Sequence, residues 1–150
     1  MVESKTRGCS VPADRHQHNI VVFACNECGQ GAFNTAGVAR MAYDASVTIV
    51  PVQCSGMISP TMIMDALAAG ADAVGCIGCC FGACHFVNGN FLNMHRVKLM
   101  KKLFLEMGYS DQFINHYTAR AAEGETAVGD VEDILERLEK AEKQGGTFKQ

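Results

Sequence analysis

Short β-branched, apolar runs alternate with longer stretches of helical periodicity four times along this chain. Asn19–Ala24 is the first such run, and it stops at Cys25-Asn-Glu-Cys28-Gly29, which predicts a buried strand feeding a tight turn. A helix is expected over Asn34–Tyr43. Val47–Val52 predicts a second strand, broken at Gln53-Cys54-Ser55-Gly56. Pro51 lacks a ladder donor, so this strand belongs near an edge or is irregular at that point. Ser59 and Pro60 suit the N-cap and first position of a helix that runs through Ala69 and closes at Gly70.

Ala71–Ile77 predicts a third strand, weakened by Gly75 and broken at Gly78-Cys79-Cys80-Phe81-Gly82-Ala83-Cys84-His85. A helix follows over about Asn90–Met107, with Val97, Met100, Phe104 and Met107 on one apolar face and Gly108 closing it. Gln112–Ala119 predicts the fourth strand. Thr126–Lys143 predicts the last helix, with Val128, Val131, Leu135 and Leu138 on one stripe. Glu136 and Glu139 each precede a lysine, Lys140 and Lys143, by one helical turn in the favourable orientation.

Alternation of this kind predicts an α/β fold: one domain with a parallel sheet of about four strands and helices on both faces, Rossmann or flavodoxin-like. Residues 1–18 read as a flexible polar N-terminal arm, 19–144 as the folded domain and 145–150 as a tail.

Composition narrows the function. With 48% hydrophobic and 19% charged residues in 150, the chain can bury a core and is not disordered as a whole. A net charge of -3 leaves no basic field for nucleic acid. No apolar run approaches the roughly 18–20 residues of a membrane span. Met1–His18 has no apolar h-region, so no secretory signal is expected and the location expected is cytoplasmic.

Eight cysteines change the picture. In a reducing compartment, clustered thiols point to a metal, an iron–sulfur cluster or redox catalysis rather than to disulfide staples. Their placement is the stronger signal. Cys25 and Cys28 follow the first strand, Cys54 the second, and Cys79, Cys80 and Cys84 the third. The carboxyl ends of parallel strands share one rim, where open α/β sheets bind ligands. At least five thiols from distant segments therefore meet there. Gly29, Gly31, Gly56, Gly78, Gly82 and Gly89 crowd the same loops, where they make sharp turns and free backbone N–H groups to face an anionic centre.

Three chemistries remain open on the residues alone. An iron–sulfur cluster takes four thiolates and accepts them from separate loops. A thiol–disulfide oxidoreductase would use Cys25 and Cys28, leaving the other thiols idle or competing. A zinc-stabilised interaction module would need four ligands, usually from two C-x-x-C knuckles, and only one is present. His85, beside Cys84, is a candidate further ligand; His16, His18 and His116 have no ligand pairing. Cys76 reads as packed inside its strand and Cys9 as incidental. Met62 and Met94 are helix positions that could face a partner. No phosphate loop, catalytic triad or evident substrate pocket is found.

Phe23-Ala-Cys25-Asn-x-Cys28-Gly29, Ala36-Gly37-Val-Ala-Arg40, Cys54-Ser-Gly56, Gly70-Ala-Asp72-Ala-Val, Gly78-Cys79-x-x-Gly82-x-Cys84-His85 and Gly89-Asn90 with Arg96 occur in this order. From about Ile20 to Leu138 the chain resembles the delta (iron-sulfur) subunit of methyl-viologen-reducing hydrogenase. The resemblance implies an electron-transfer protein with a [2Fe-2S] cluster, not a stand-alone catalyst. It also implies a relay between a hydrogenase or formate dehydrogenase and the flavin-containing subunit of heterodisulfide reductase. The family's cysteines fall on Cys25, Cys28, Cys54, Cys79 and Cys84, five thiols for four ligand places. Two positions depart from the family's pattern: Glu27 replaces an aromatic, and Cys80 adds a thiol to its loop.

Overall fold

A computed structural model describes residues 18–143, so the expected tail, Cys9, His16 and all of the expected arm but His18 lie outside the described residues. His18 Nδ1 stands 3.6 Å from a Glu142 carboxylate oxygen. The elements are β1 (Ile20–Cys25), α1 (Gly29–Val38), β2 (Val47–Val52), a 3-10 turn (Ser55–Met57), α2 (Pro60–Ala68), β3 (Ala73–Cys79), α3 (Gly89–Glu106), a second 3-10 turn (Asp111–Phe113), β4 (Ile114–Ala119) and α4 (Gly124–Lys143). All strand pairs are parallel, in the order β2-β1-β3-β4. Pro51 therefore sits on an edge strand, where its missing N–H disrupts no central ladder.

Each sheet face buries its own apolar layer. Ala32 and Phe33 of α1 and Ala127, Val131, Ile134 and Leu138 of α4 cover Ile20, Val22, Ala24 and Ile77. On the other face, Ile63 and Leu67 of α2 and Val97, Met100 and Phe104 of α3 cover Phe23, Val74, Cys76 and Ile114. Each fully buried large side chain contributes about 1.5–3 kcal/mol. Strands buried on both faces need continuous rather than alternating hydrophobicity, which accounts for β1 and β3.

Several boundaries differ from expectation. Helix α1 begins at Gly29 and ends at Val38, displaced from Asn34–Tyr43. Gly29 is low in helix propensity, but a β-carbon there would lie 2.9 Å from the Ile77 carbonyl oxygen, so close packing on β3 selects glycine. Beyond Val38 the chain cannot continue as helix, since Arg40 takes φ +56°. Met107 is 58% exposed and lies past the end of α3, off the face shared by Val97, Met100 and Phe104. The buried stripe of α4 centres on Ala127, Val131, Ile134, Leu138 and Ala141, leaving Val128 and Leu135 half-buried. Strand β4 starts at Ile114, because the Ser110 hydroxyl accepts from the Gln112 N–H and caps a 3-10 turn first. On α4, Lys140 pairs with Glu136 at 3.3 Å. No helix among the described residues is long and apolar enough to cross a membrane.

Candidate metal centre

The strand order reverses between β1 and β3, and both strands end in cysteine. Cys25 and Cys79 close these strands, just beyond the paired residues Ala24 and Ile77. Their sulfurs are 3.5 Å apart. Cys28 caps α1 close by, and the sulfurs of Cys25, Cys28 and Cys79 all lie within 4.8 Å of one another. Cys54 follows β2 and Cys84 lies in the loop after β3, with 4.0 Å between their sulfurs. The two groups adjoin: the charge of Cys25 acts on the Cys54 thiol. The five cysteines that match the family's pattern are thus brought together, as three and two, and none is in a disulfide.

Backbone donors converge on these sulfurs. Cys25 Sγ accepts from the N–H groups of Cys28 at 3.4 Å and Gly29 at 3.5 Å, and Cys54 Sγ from Gly56 at 3.4 Å. Burial alone would raise the Cys84 thiol. The N–H groups of Asn90, Phe86 and Gly89, around the start of α3, outweigh it and hold Cys84 below the ordinary thiol range. Cys28, Cys54 and Cys79 are raised, each chiefly by burial, with neighbouring cysteine charge adding to it. Thiols that repel one another as anions but sit among N–H donors form a donor set suited to a positively charged core.

The cradle is shaped by groups that carry no sulfur. A β-carbon on Gly89 would overlap the Cys54 sulfur and stand 3.3 Å from that of Cys84, so only glycine lets α3 start here. Asn90, fully buried, donates through Nδ2 to the carbonyls of Cys79 at 3.1 Å and Cys80 at 2.9 Å. Arg96 Nη1 donates to the carbonyls of Gly56 at 2.6 Å and Ile58 at 3.0 Å, tying the Cys54 loop to α3. Val87 takes φ +67°, a left-handed conformation that costs a β-branched residue energy.

Beside Cys54 lies a cleft of about 590 Å³ lined by Met57, Phe86, Phe91, Leu92 and His95 among others, a pocket the sequence pattern does not announce. Met57, Phe86 and Leu92 are each about half exposed or more. Phe81 packs tilted against Phe91, ring centroids 4.8 Å apart, and stacks over His116 at 6.3 Å.

The other expected candidates lie outside these two groups of sulfurs. His85 is exposed. His116 lies half-buried in β4, and burial, helped by the charge of Lys98, lowers it to about 4. Cys76 is buried in the core and pushed up to about 12 by burial. Cys80 is half-buried, and its charge acts on Cys28. Met62, a candidate partner contact, is half-buried and packs in part against the core, and Met94 is half-buried on α3. Asn90's fastening of the Cys79–Cys80 turn escapes sequence reasoning; its place directly after Gly89 at a helix start is the available signal.

A family model described as methyl-viologen-reducing hydrogenase, delta subunit, matches residues 20–141. The chain belongs to that family. Among curated relatives, the vhc iron-sulfur subunit of the F420-non-reducing hydrogenase of Methanococcus voltae is 37% identical over 126 residues, 84% of this chain and 88% of the relative. The iron-sulfur subunit of the F420-non-reducing hydrogenase of Archaeoglobus profundus is 38% identical over 112 residues, 75% of this chain and 82% of the relative. The A-type subunit of the ferredoxin/F(420)H(2)-dependent CoB-CoM heterodisulfide reductase of Methanosarcina acetivorans is 30% identical over 131 residues, 87% of this chain but only 16% of that protein. In that relative the matching segment is one part of a much longer polypeptide.

Proposed function

We propose that this chain is an electron-transfer subunit whose rim thiols hold a [2Fe-2S] cluster. The observation that carries the reading is the grouping of sulfurs into sets of three and two, with close pairs at 3.5 Å and 4.0 Å. Metal–thiolate bonds of about 2.3 Å at tetrahedral angles hold two thiolates of one metal roughly 3.8 Å apart. Two adjoining close pairs suit a dinuclear core with two thiolates per iron. A single zinc ion calls for four mutually close donors, whereas the mutually close group among the described residues is of three, Cys25, Cys28 and Cys79. A cubane gives each thiolate its own iron and does not call for close pairs.

Four of Cys25, Cys28, Cys54, Cys79 and Cys84 would ligate the cluster; the backbone N–H groups of Gly29, Gly56 and Gly89 would stabilise its negative charge. Bound there, it supplies one-electron redox chemistry. A C-x-x-C oxidoreductase is less well supported. Cys25 has Cys79 against its sulfur at 3.5 Å, and burial raises Cys28 rather than activating it.

The donor and acceptor are read from the relatives. Hydrogenase subunits match most of this chain, and the Methanosarcina heterodisulfide reductase carries a counterpart within a longer polypeptide. An upstream hydrogenase would therefore deliver electrons, with a formate dehydrogenase in its place implied only by the family resemblance, and the flavin-containing subunit of heterodisulfide reductase would accept them. The exposed apolar surface of Met57, Phe86 and Leu92 beside Cys54 supports docking at the rim. The test mixes the dithionite-reduced chain, freed of excess reductant, with the flavoprotein. Recovery of the oxidised cluster's absorbance as the flavin is reduced supports the relay, and no exchange despite binding contradicts it.

A further inference from the structure

Resting on the [2Fe-2S] reading, the geometry points to Cys28 as the thiol that does not ligate. We propose that Cys25 with Cys79, and Cys54 with Cys84, are the two ligand pairs, and that Cys28 is a positioning residue whose S–H donates to the first pair. Five thiols compete for four places, and the surplus must lie in the group of three, because Cys54 and Cys84 already make a pair at 4.0 Å.

Within the group of three, Cys25 and Cys79 have their sulfurs 3.5 Å apart, close to the separation two thiolates on one tetrahedral metal require. Both terminate adjacent hydrogen-bonded strands, which fixes their backbone, and they are only 2% and 4% exposed. Cys28 stands outside the sheet at the N-cap of α1 and is half-buried. Cys25 Sγ also receives two backbone N–H groups, as a thiolate ligand would, and one of them is the N–H of Cys28 itself. The backbone N–H of Cys28 is already on Cys25 Sγ, and its own sulfur lies within 4.8 Å of those of Cys25 and Cys79, which places the S–H to donate to the pair as well. A donor to ligand sulfur favours the reduced, more negative cluster and raises its potential.

The test uses the full chain, purified anaerobically, as wild type, C28A, C28S, C25S, C79S and C54S. C28A and C28S should keep wild-type iron and sulfide and unchanged visible absorption bands. C28A should titrate at a lower potential, and C28S, which retains a donor, should return close to wild type. C25S, C79S and C54S should shift the bands or lose iron. The assignment is overturned if C28A and C28S lose or spectrally alter the cluster while C25S or C79S leaves it unchanged. The donor role is overturned if the C28A potential equals that of wild type. Wild type without iron overturns the cluster reading instead, which keeps the two failures apart.

Discussion

Gly89 packs against Cys54 so closely that a β-carbon at Gly89 would occupy the space of the Cys54 sulfur. The start of α3 and the loop after β2, distant in sequence, thereby hold one thiol in place. Gly89→Ala should cost about 1–3 kcal/mol by overpacking. It should also weaken iron retention roughly 10–100-fold, the range seen when groups supporting a ligand are displaced. Chelator-challenge kinetics with iron analysis check this; wild-type retention in a folded variant counts against the cradle.

Arg96 is the clasp on the same loop. Its guanidinium donates to both Gly56 and Ile58 carbonyls, and Arg96→Ala leaves both without that partner. A loss of about 1.5–3 kcal/mol is expected in urea unfolding, with faster cluster release. Arg96→Lys, lacking the planar fork, should fall between the two. Equal stability in all three would show that the clasp contributes nothing.

Val87 sits in the left-handed region next to the cysteine loop. Glycine adopts that conformation without steric penalty, so Val87→Gly should stabilise the protein by roughly 1 kcal/mol, less the entropy glycine adds to the unfolded chain. Denaturant midpoints at constant m-value measure it. A clear destabilisation would mean the side chain packs more than it strains.

Two part-buried groups make stability respond to pH in opposite senses. Asp130 is raised from 3.8 to about 7, by burial first and then by Asp133, so its contribution is present at low pH and lost as pH rises towards 7. His116 is lowered from 6.5 to about 4 by burial and then Lys98, so its contribution is present above 6.5 and lost as pH falls towards 4. The stability gain of Asp130→Asn over wild type should therefore grow with rising pH, and that of His116→Phe with falling pH. Unfolding curves across this window test both, and differences that stay flat with pH refute them.

The strand-end placement of Cys25, Cys54 and Cys79 is legible because short apolar runs, broken by glycine and cysteine, mark where parallel strands stop. Pro51 marks its strand as an edge for the same local reason. The start of helix α1 is hidden because Gly29 carries a signal of tertiary contact, with Ile77, that looks like a loop in one dimension. Met107 fits the apolar period of α3 yet lies exposed, because periodicity does not reveal where a helix stops. The division of five sulfurs into three and two has no sequence correlate at all, since spacing along the chain says nothing of which loops fold towards each other. Asn90's bonds to the Cys79 and Cys80 carbonyls are hidden likewise.

Iron and acid-labile sulfide analysis of the anaerobically purified chain, with EPR after reduction, tests the central claim most directly. The account predicts about two iron and two sulfide per chain and a paramagnetic signal that appears on one-electron reduction. A folded protein containing one equivalent of zinc and no sulfide, or no metal at all, would contradict it.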